Sequence, residues 1–396
     1  MNASPMPMRQ LQARGVVFLA PNTCYVAPDV NAERIAPGVT IHPGCRLSGA
    51  SLSVGPGCVL GAEAPVTVSD CQLGAGVRLA GGFFDRSTFL DGFKAGSGAH
   101  VRPGCLFEEG ASIAHSVGVK QTVFLPWVTA GSLINFCDCL MAGGTSRTNH
   151  SEIGSSYIHF NFTPHQDKAT ASLIGDVPRG VLLNQPAIFL GGQGGLVGPC
   201  LIAFGTVIPA GQVWRGDVTE PGRLVAKAAF RSTVNQPYDP RVYHGIRRVL
   251  RNNLTYIGNI LALDLWYRVV RAPFMANNPF AAACLAGARQ RLAEILDERV
   301  SRLDELANKV ADSLSINAPN PAAAEHAAFV ARWSELKAAL GALLGSRETT
   351  AVPEPVLAAV DAMPKADYLQ AIQNLPAETG RHLSDWLAAA AKKCLS

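Results

Sequence analysis

The sequence predicts a mainly β protein, a parallel β-helix of hexapeptide repeats followed by a C-terminal α-helical domain. Two observations carry that reading. In residues 190–214, LGGQGGLVGPCLIAFGTVIPAGQVW, large apolar side chains return every six positions: Leu190, Leu196, Ile202, Ile208 and Trp214. A period of six fits neither a helix nor a simple strand, but it suits a three-sided coil with one short strand and one tight turn per side. The recurring aliphatic points inward, and the small residues between take the corners, where close backbone approach favours glycine. Beyond about residue 230 the pattern changes to helical periodicity.

Composition agrees. Charged residues are 16% of the 396, against about 25% in an average soluble protein, as expected for short strands around a continuous aliphatic stack. A net charge of +4 gives no case for nucleic acid. Residues 180–214 contain no charge, yet their glycines, prolines and six-residue period argue for β-helix core and against a membrane span. The N-terminal MNASPMPMRQLQARG lacks an apolar secretory core. Ten cysteines include no CxxC pair, and the nearest two are Cys137 and Cys139. They read as reduced small fillers in a cytoplasmic protein.

Taken in order, residues 1–29 form a lead-in with a possible strand at 15–20. The β-helix is expected over 30–229. Its repeats run through Ile35, Ile41 and Leu47, slip by one, and continue through Val54, Leu60, Val66, Leu73 and Leu79. From 102 to 174 the pattern loosens and polar residues accumulate. A solenoid that breaks its own repeat is expected to do so for loops that bind something. The helical domain, 230–396, should hold helices over 243–271, 279–314, 322–344, 353–363, 366–374 and 377–393. Arg247, Arg248 and Arg251 fall partly on one helix face; a solvated basic face is the plainer reading, an anion or acidic partner the sharper one.

Residues 120–227, extended upstream to Val-Arg-Pro-Gly at 101–104, resemble the left-handed β-helix domain of bifunctional N-acetylglucosamine-1-phosphate uridyltransferase/glucosamine-1-phosphate acetyltransferases. Arg102 and, eighteen residues on, Lys120 match the positions that bind the sugar phosphate in that family. An Arg fork and a Lys point charge on adjacent coils make a phosphate clamp. Asn161-Phe162 resembles an Asn-Tyr pair that contacts sugar and acetyl-coenzyme A. Gly192, Ala210 and Lys227 fall at coenzyme-contact spacings, with Gly192 in place of a serine and Lys227 in place of an arginine. No Gly-rich, Lys-bearing nucleotide loop of the uridyltransferase kind is found.

The departures bear on chemistry. The family's catalytic histidine, a general base, aligns with Ser132, and its tyrosine three residues later with Asn135. A serine hydroxyl is no base near neutral pH without a partner. The following segment is about six residues longer than the family's and carries His150 and His159, either of which could supply an imidazole; His159 alternates with Ile158 and Phe160, which places it on the face opposite those two. His165, two residues before Asp167, could form a His–Asp pair. The γ-class carbonic anhydrases share the solenoid, but His150, His159 and His165 lack their surrounding pattern, so no metal is expected.

The resemblance therefore implies a homotrimer and an acyltransferase-like activity, from acyl-coenzyme A to a phosphorylated or nucleotide-linked amino sugar. The competing expectation is a non-catalytic solenoid that binds a sugar nucleotide or serves as a scaffold. Loss of the family histidine favours the latter, and retention of the phosphate and coenzyme positions the former.

Overall fold

The computed structural model describes residues 6–226, 239–243, 245–316 and 320–395. Lys227 and the expected domain boundary at 229/230 lie outside them, as does part of the helix breaker at 317–321. The chain builds a parallel solenoid of about 11 turns. Face one is a ten-stranded parallel sheet from Val17–Phe18 to Val207–Ile208. Faces two and three belong to one sixteen-stranded sheet, because Gly118–Phe124 and Asn135–Met141 each run continuously around a corner from one face to the next.

The six-residue period is the rotation from face to face. Leu190 pairs with Ile208 on face one, and Leu196 with Trp214 on face two. Ile202 follows Ile174 on face three. Leu190, Leu196, Ile202 and Ile208 are all buried. The upstream series from Ile35 to Leu79 is buried equally well. Strand pairing already begins at Val17–Phe18 and Tyr25–Val26, within the expected lead-in, and helix α1 (Met6–Ala13) buries Met8 and Leu11 beside the first coils.

Midway along the solenoid the filling is aromatic. Phe84, Phe89, Phe93, Phe107, Phe124 and Phe136 form a chain of rings with neighbouring centroids 4.8 to 6.0 Å apart, all fully buried. The ten cysteines are all free, and nine are buried. Burial pushes the thiols of Cys58, Cys71 and Cys105 up to about 12, which leaves them inert packing atoms.

After a short helix inside the solenoid, α2 (Val177–Gly180), the helical domain comprises α3 (Arg247–Trp266), α4 (Ala272–Met275), α5 (Pro279–Leu314), α6 (Ala323–Gly345), α7 (Glu354–Asp361), α8 (Tyr368–Gln373) and α9 (Ala377–Lys392). Asn278 caps α5, accepting from the N–H groups of Phe280 and Ala281, with Pro279 in the first turn. Helix α5 lies along face three against strands Ser53–Val54, Gln72–Leu73, Ser87–Phe89 and Cys105–Phe107, and α3 packs on Ser172–Ile174.

This contact is polar where it is deepest. A π-helical turn, Tyr267–Arg271, aims Arg271 at Glu108 (2.8 Å) and Glu109 (2.7 Å), while Tyr267 Oη donates to Glu108 (2.7 Å). Arg299 of α5 pairs with Asp138 at 2.9 Å and is 1% exposed.

Parts of the loosened stretch also grip the helices. The hairpin Gly144–Ser146/Asn149–His150 offers its Thr145 carbonyl to Gln373. Around residues 163–169, Asp167 accepts from Tyr243 Oη (2.9 Å), His165 stacks on the Tyr243 ring, and Lys309 and Asn253 donate to backbone carbonyls. His165 bonds the Pro240 carbonyl and forms no pair with Asp167. The three arginines of α3 are likewise occupied: Arg247 on Glu325, Arg248 on the Pro199 carbonyl and Arg251 on Asp217. Of the polar stretch expected to bind something, the 144–150 hairpin and the 163–169 segment contact the helical domain.

Candidate functional site

Stacked coils place residues eighteen or so apart in one row, and the candidate side chains sort by row. On face two, Val101 pairs with Val119 and Lys120 with Cys137. Arg102 and Lys120 therefore follow paired residues and project from neighbouring coils at the same outer level. Arg102 is exposed and its Nη2 reaches Cys137 Sγ at 3.1 Å. Asn135 is exposed two residues before Cys137 and accepts from that thiol (3.3 Å).

The corner between faces one and two gathers a second row. Ser132 N–H donates to Ser155 Oγ (3.1 Å). A side chain at Gly192 would meet the Ser155 carbonyl at 2.7 Å, and one at Gly191 would meet Ala210 N at 2.2 Å. Ser132, Ser155, Gly192 and Ala210 are thus successive steps of one edge, and glycine at 191 and 192 is what lets the coils stack there.

That edge also holds a residue which sequence reasoning missed. Ser132 Oγ lies 2.8 Å from Nδ1 of His115, one coil earlier, and His115 is exposed. The position where the resemblance expects an imidazole holds a hydroxyl, and the imidazole hydrogen-bonded to it comes from the adjacent coil. The signal was present: 115 and 132 are seventeen residues apart, about one turn of the coil.

The two histidines proposed from sequence are elsewhere. His159 does alternate with Ile158 and Phe160, but the apolar pair faces outward, 41% and 38% exposed, and His159 faces the interior at 1%. Its Nδ1 lies 2.7 Å from the Cys137 carbonyl and its Nε2 2.8 Å from Ser172 Oγ. Burial lowers it to about 4, so it is a neutral core histidine with both nitrogens engaged and no route to a ligand on face two. His150 sits on the hairpin between faces three and one, a different corner, with Nδ1 on the Arg147 carbonyl and Nε2 3.9 Å from Glu152. Neither meets the Ser132 row.

Asn161 follows the face-two strand Ile158–Phe160, and its Nδ2 donates to Asp138 Oδ2 at 2.7 Å. Phe162 is 66% exposed. Among the described residues no group of three His, Cys, Asp or Glu side chains is arranged to hold a metal ion, and no helix is long and apolar enough to cross a membrane.

Curated proteins are similar to part of this chain. "Bifunctional protein GlmU" of Trichlorobacter lovleyi is 28% identical over 219 residues, which is 55% of this chain and 42% of that protein. The same-named protein of Pelobacter propionicus is 28% identical over 211 residues, 53% and 41% of the two chains. That of Thermus thermophilus is 31% identical over 160 residues, 39% and 33%. This chain is a hexapeptide-repeat relative of GlmU. The matches lie in the C-terminal half of GlmU, so the chain spans less than half the length of the curated relatives it matches. No family model matches the chain.

Proposed function

We propose that this protein is an acyltransferase-like enzyme that moves an acyl group from acyl-coenzyme A to the amine of a phosphorylated or nucleotide-linked amino sugar. The observation that carries the reading is the Ser132–His115 pair at 2.8 Å, on the edge that also carries Gly192 and Ala210. Arg102 and Lys120 hold the sugar phosphate with an Arg fork and a Lys point charge. Ala210, small on the same edge, leaves room for a pantetheine arm along the corner that Gly192 keeps tightly stacked, and Lys227 holds the coenzyme's phosphates. His115 takes the proton from the attacking amine, with Ser132 fixing its ring, while Asn135 and Asn161 orient the acceptor. The relatives' homology supports a trimer with sites between neighbouring solenoids, where the exposed apolar residues Leu133, Ile158 and Phe160 would be covered.

The test is His115→Ala. Loss of a general base lowers turnover by about 10²–10⁴-fold with sugar-phosphate affinity unchanged. Full activity in the variant overturns the assignment. A second reading, a ligand-binding solenoid without catalysis, is favoured by the inward position of His159, which removes one substitute base. It takes over if the native protein binds sugar phosphate and acetyl-coenzyme A yet transfers nothing.

A further inference from the structure

Arg299 of the helical domain reaches the candidate site through Asp138, and what it holds is specific. Its guanidinium, 1% exposed, donates through Nη2 to Asp138 Oδ1 at 2.9 Å and through Nη1 to the Lys168 carbonyl at 3.3 Å. Asp138 is itself buried, in the left-handed backbone region at φ 59°, on the corner between faces two and three. Its other oxygen, Oδ2, accepts from Asn161 Nδ2 at 2.7 Å. A carboxylate paired with arginine accepts hydrogen bonds and donates none. The amide of Asn161 is therefore locked with its NH₂ toward Asp138 and its carbonyl oxygen away. Among the described residues no hydrogen bond takes up that oxygen.

We infer that the helical domain, through Arg299 and Asp138, sets the polarity of Asn161, so that its Oδ1 stands as an acceptor for an N–H group of the ligand. This rests on the acyl-transfer reading only in assigning Asn161 to the site. Beside the adenine amine at the far end of the coenzyme, two groups in that reading carry an N–H close to the reacting centre: the sugar amine and the amides of a pantetheine arm. Arg299 and Asp138 are positioning residues here; Asn161 makes the contact.

Asp138→Asn tests it without backbone strain, since asparagine tolerates φ > 0 as readily as aspartate. Because it also takes the carboxylate away from buried Arg299, each variant is first checked for a native unfolding transition, and the double variant below returns a carboxylate to the cluster. The introduced amide would keep its oxygen on Arg299 and turn its NH₂ toward Asn161, forcing the Asn161 amide to flip and present NH₂ to the ligand. The double variant Asp138→Asn/Asn161→Asp reverses the bond and restores an outward acceptor. The measurements are calorimetric binding of acetyl-coenzyme A, glucosamine 1-phosphate and glucose 1-phosphate, and the side-chain amide resonance of Asn161 in protein labelled with ¹⁵N-asparagine, identified by its loss in Asn161→Asp.

The expected result is a displaced resonance in Asp138→Asn. Binding of the N–H-bearing probe should weaken about 10- to 100-fold and return in the double variant. If glucosamine 1-phosphate weakens and glucose 1-phosphate does not, the donor is the sugar amine; if only acetyl-coenzyme A weakens, it is the pantetheine arm. An unmoved resonance overturns the positioning by Asp138. A moved resonance with unchanged affinities overturns the acceptor role. Native protein that binds no probe overturns the acyl-transfer reading and the ligand half of this proposal, while the resonance still decides the positioning half.

Discussion

Faces two and three of the solenoid carry charged residues at their edges, and they end in opposite states. On face three, Glu108, Glu109 and Asp138 meet Arg271 and Arg299 from the helices, under a cover that leaves both arginines 1% exposed. On face two, Arg102, Asn135 and the His115–Ser132 pair remain at the surface beside exposed Leu133, Ile158 and Phe160. The same repeat thus presents two kinds of surface. Where charges are paired and dry they fix a domain; where they are open they stay in solvent. A charged residue in a repeat sequence acquires its meaning from what covers its face.

The sharpest way to break the contrast is on the covered side. Arg271→Met leaves Glu108 and Glu109 without their buried partner and should cost about 3–5 kcal/mol in denaturant unfolding. Adding Glu108→Gln should recover part of that. A loss below about 1 kcal/mol would mean that this contact is not what seats the helices. Next in size is a pH effect from His159, the interior histidine between the two faces. Its folded value is depressed to about 4, below the ordinary 6.5, so the unfolded chain binds more protons between those limits. Stability from this group is full above about pH 6.5 and is lost as pH falls towards 4, by roughly 3 kcal/mol. His159→Gln should flatten that part of the stability curve; an unaltered slope would assign the proton uptake to another group.

On the open edge the expected stability effects are smaller. Gly192→Ala places a methyl 2.7 Å from the Ser155 carbonyl and should destabilise by about 1–3 kcal/mol. A neutral result would show that the corner has room to widen. Smallest of all is Arg247→Ala, which removes a pair to Glu325 whose arginine side chain is 84% exposed. It should change stability by less than about 1 kcal/mol, checked by the same unfolding curves.

Legibility followed the range of the interaction. The six-residue period gave the faces because each inward side chain stacks on its own equivalents, and Pro279–Leu314 was readable from its helical periodicity, a pattern local to the segment, as are the cap and proline that start it. The phase of residues 158–160 was not, since Ile158 and Phe160 sit on an open face while His159 is satisfied by Cys137 and Ser172, supplied by other coils. His115 escaped for the same reason: its partner is next to it only once the chain has gone round. The polar loop around 163–169 read as a ligand site because its true partners, Tyr243, Asn253 and Lys309, lie in helices far downstream.

Helix α5 has one more effect. A stack of coils in which each touches only its neighbours can lose turns from either end, one after another. At 36 residues, roughly 54 Å long, α5 touches coils from Ser53–Val54 to Asp138 and reaches the loop at His165–Gln166. It works as a splint nailed across the planks. Fraying one turn beneath it means lifting the splint from several, so this span should melt as a single block, and a load applied to one end would be shared along its length.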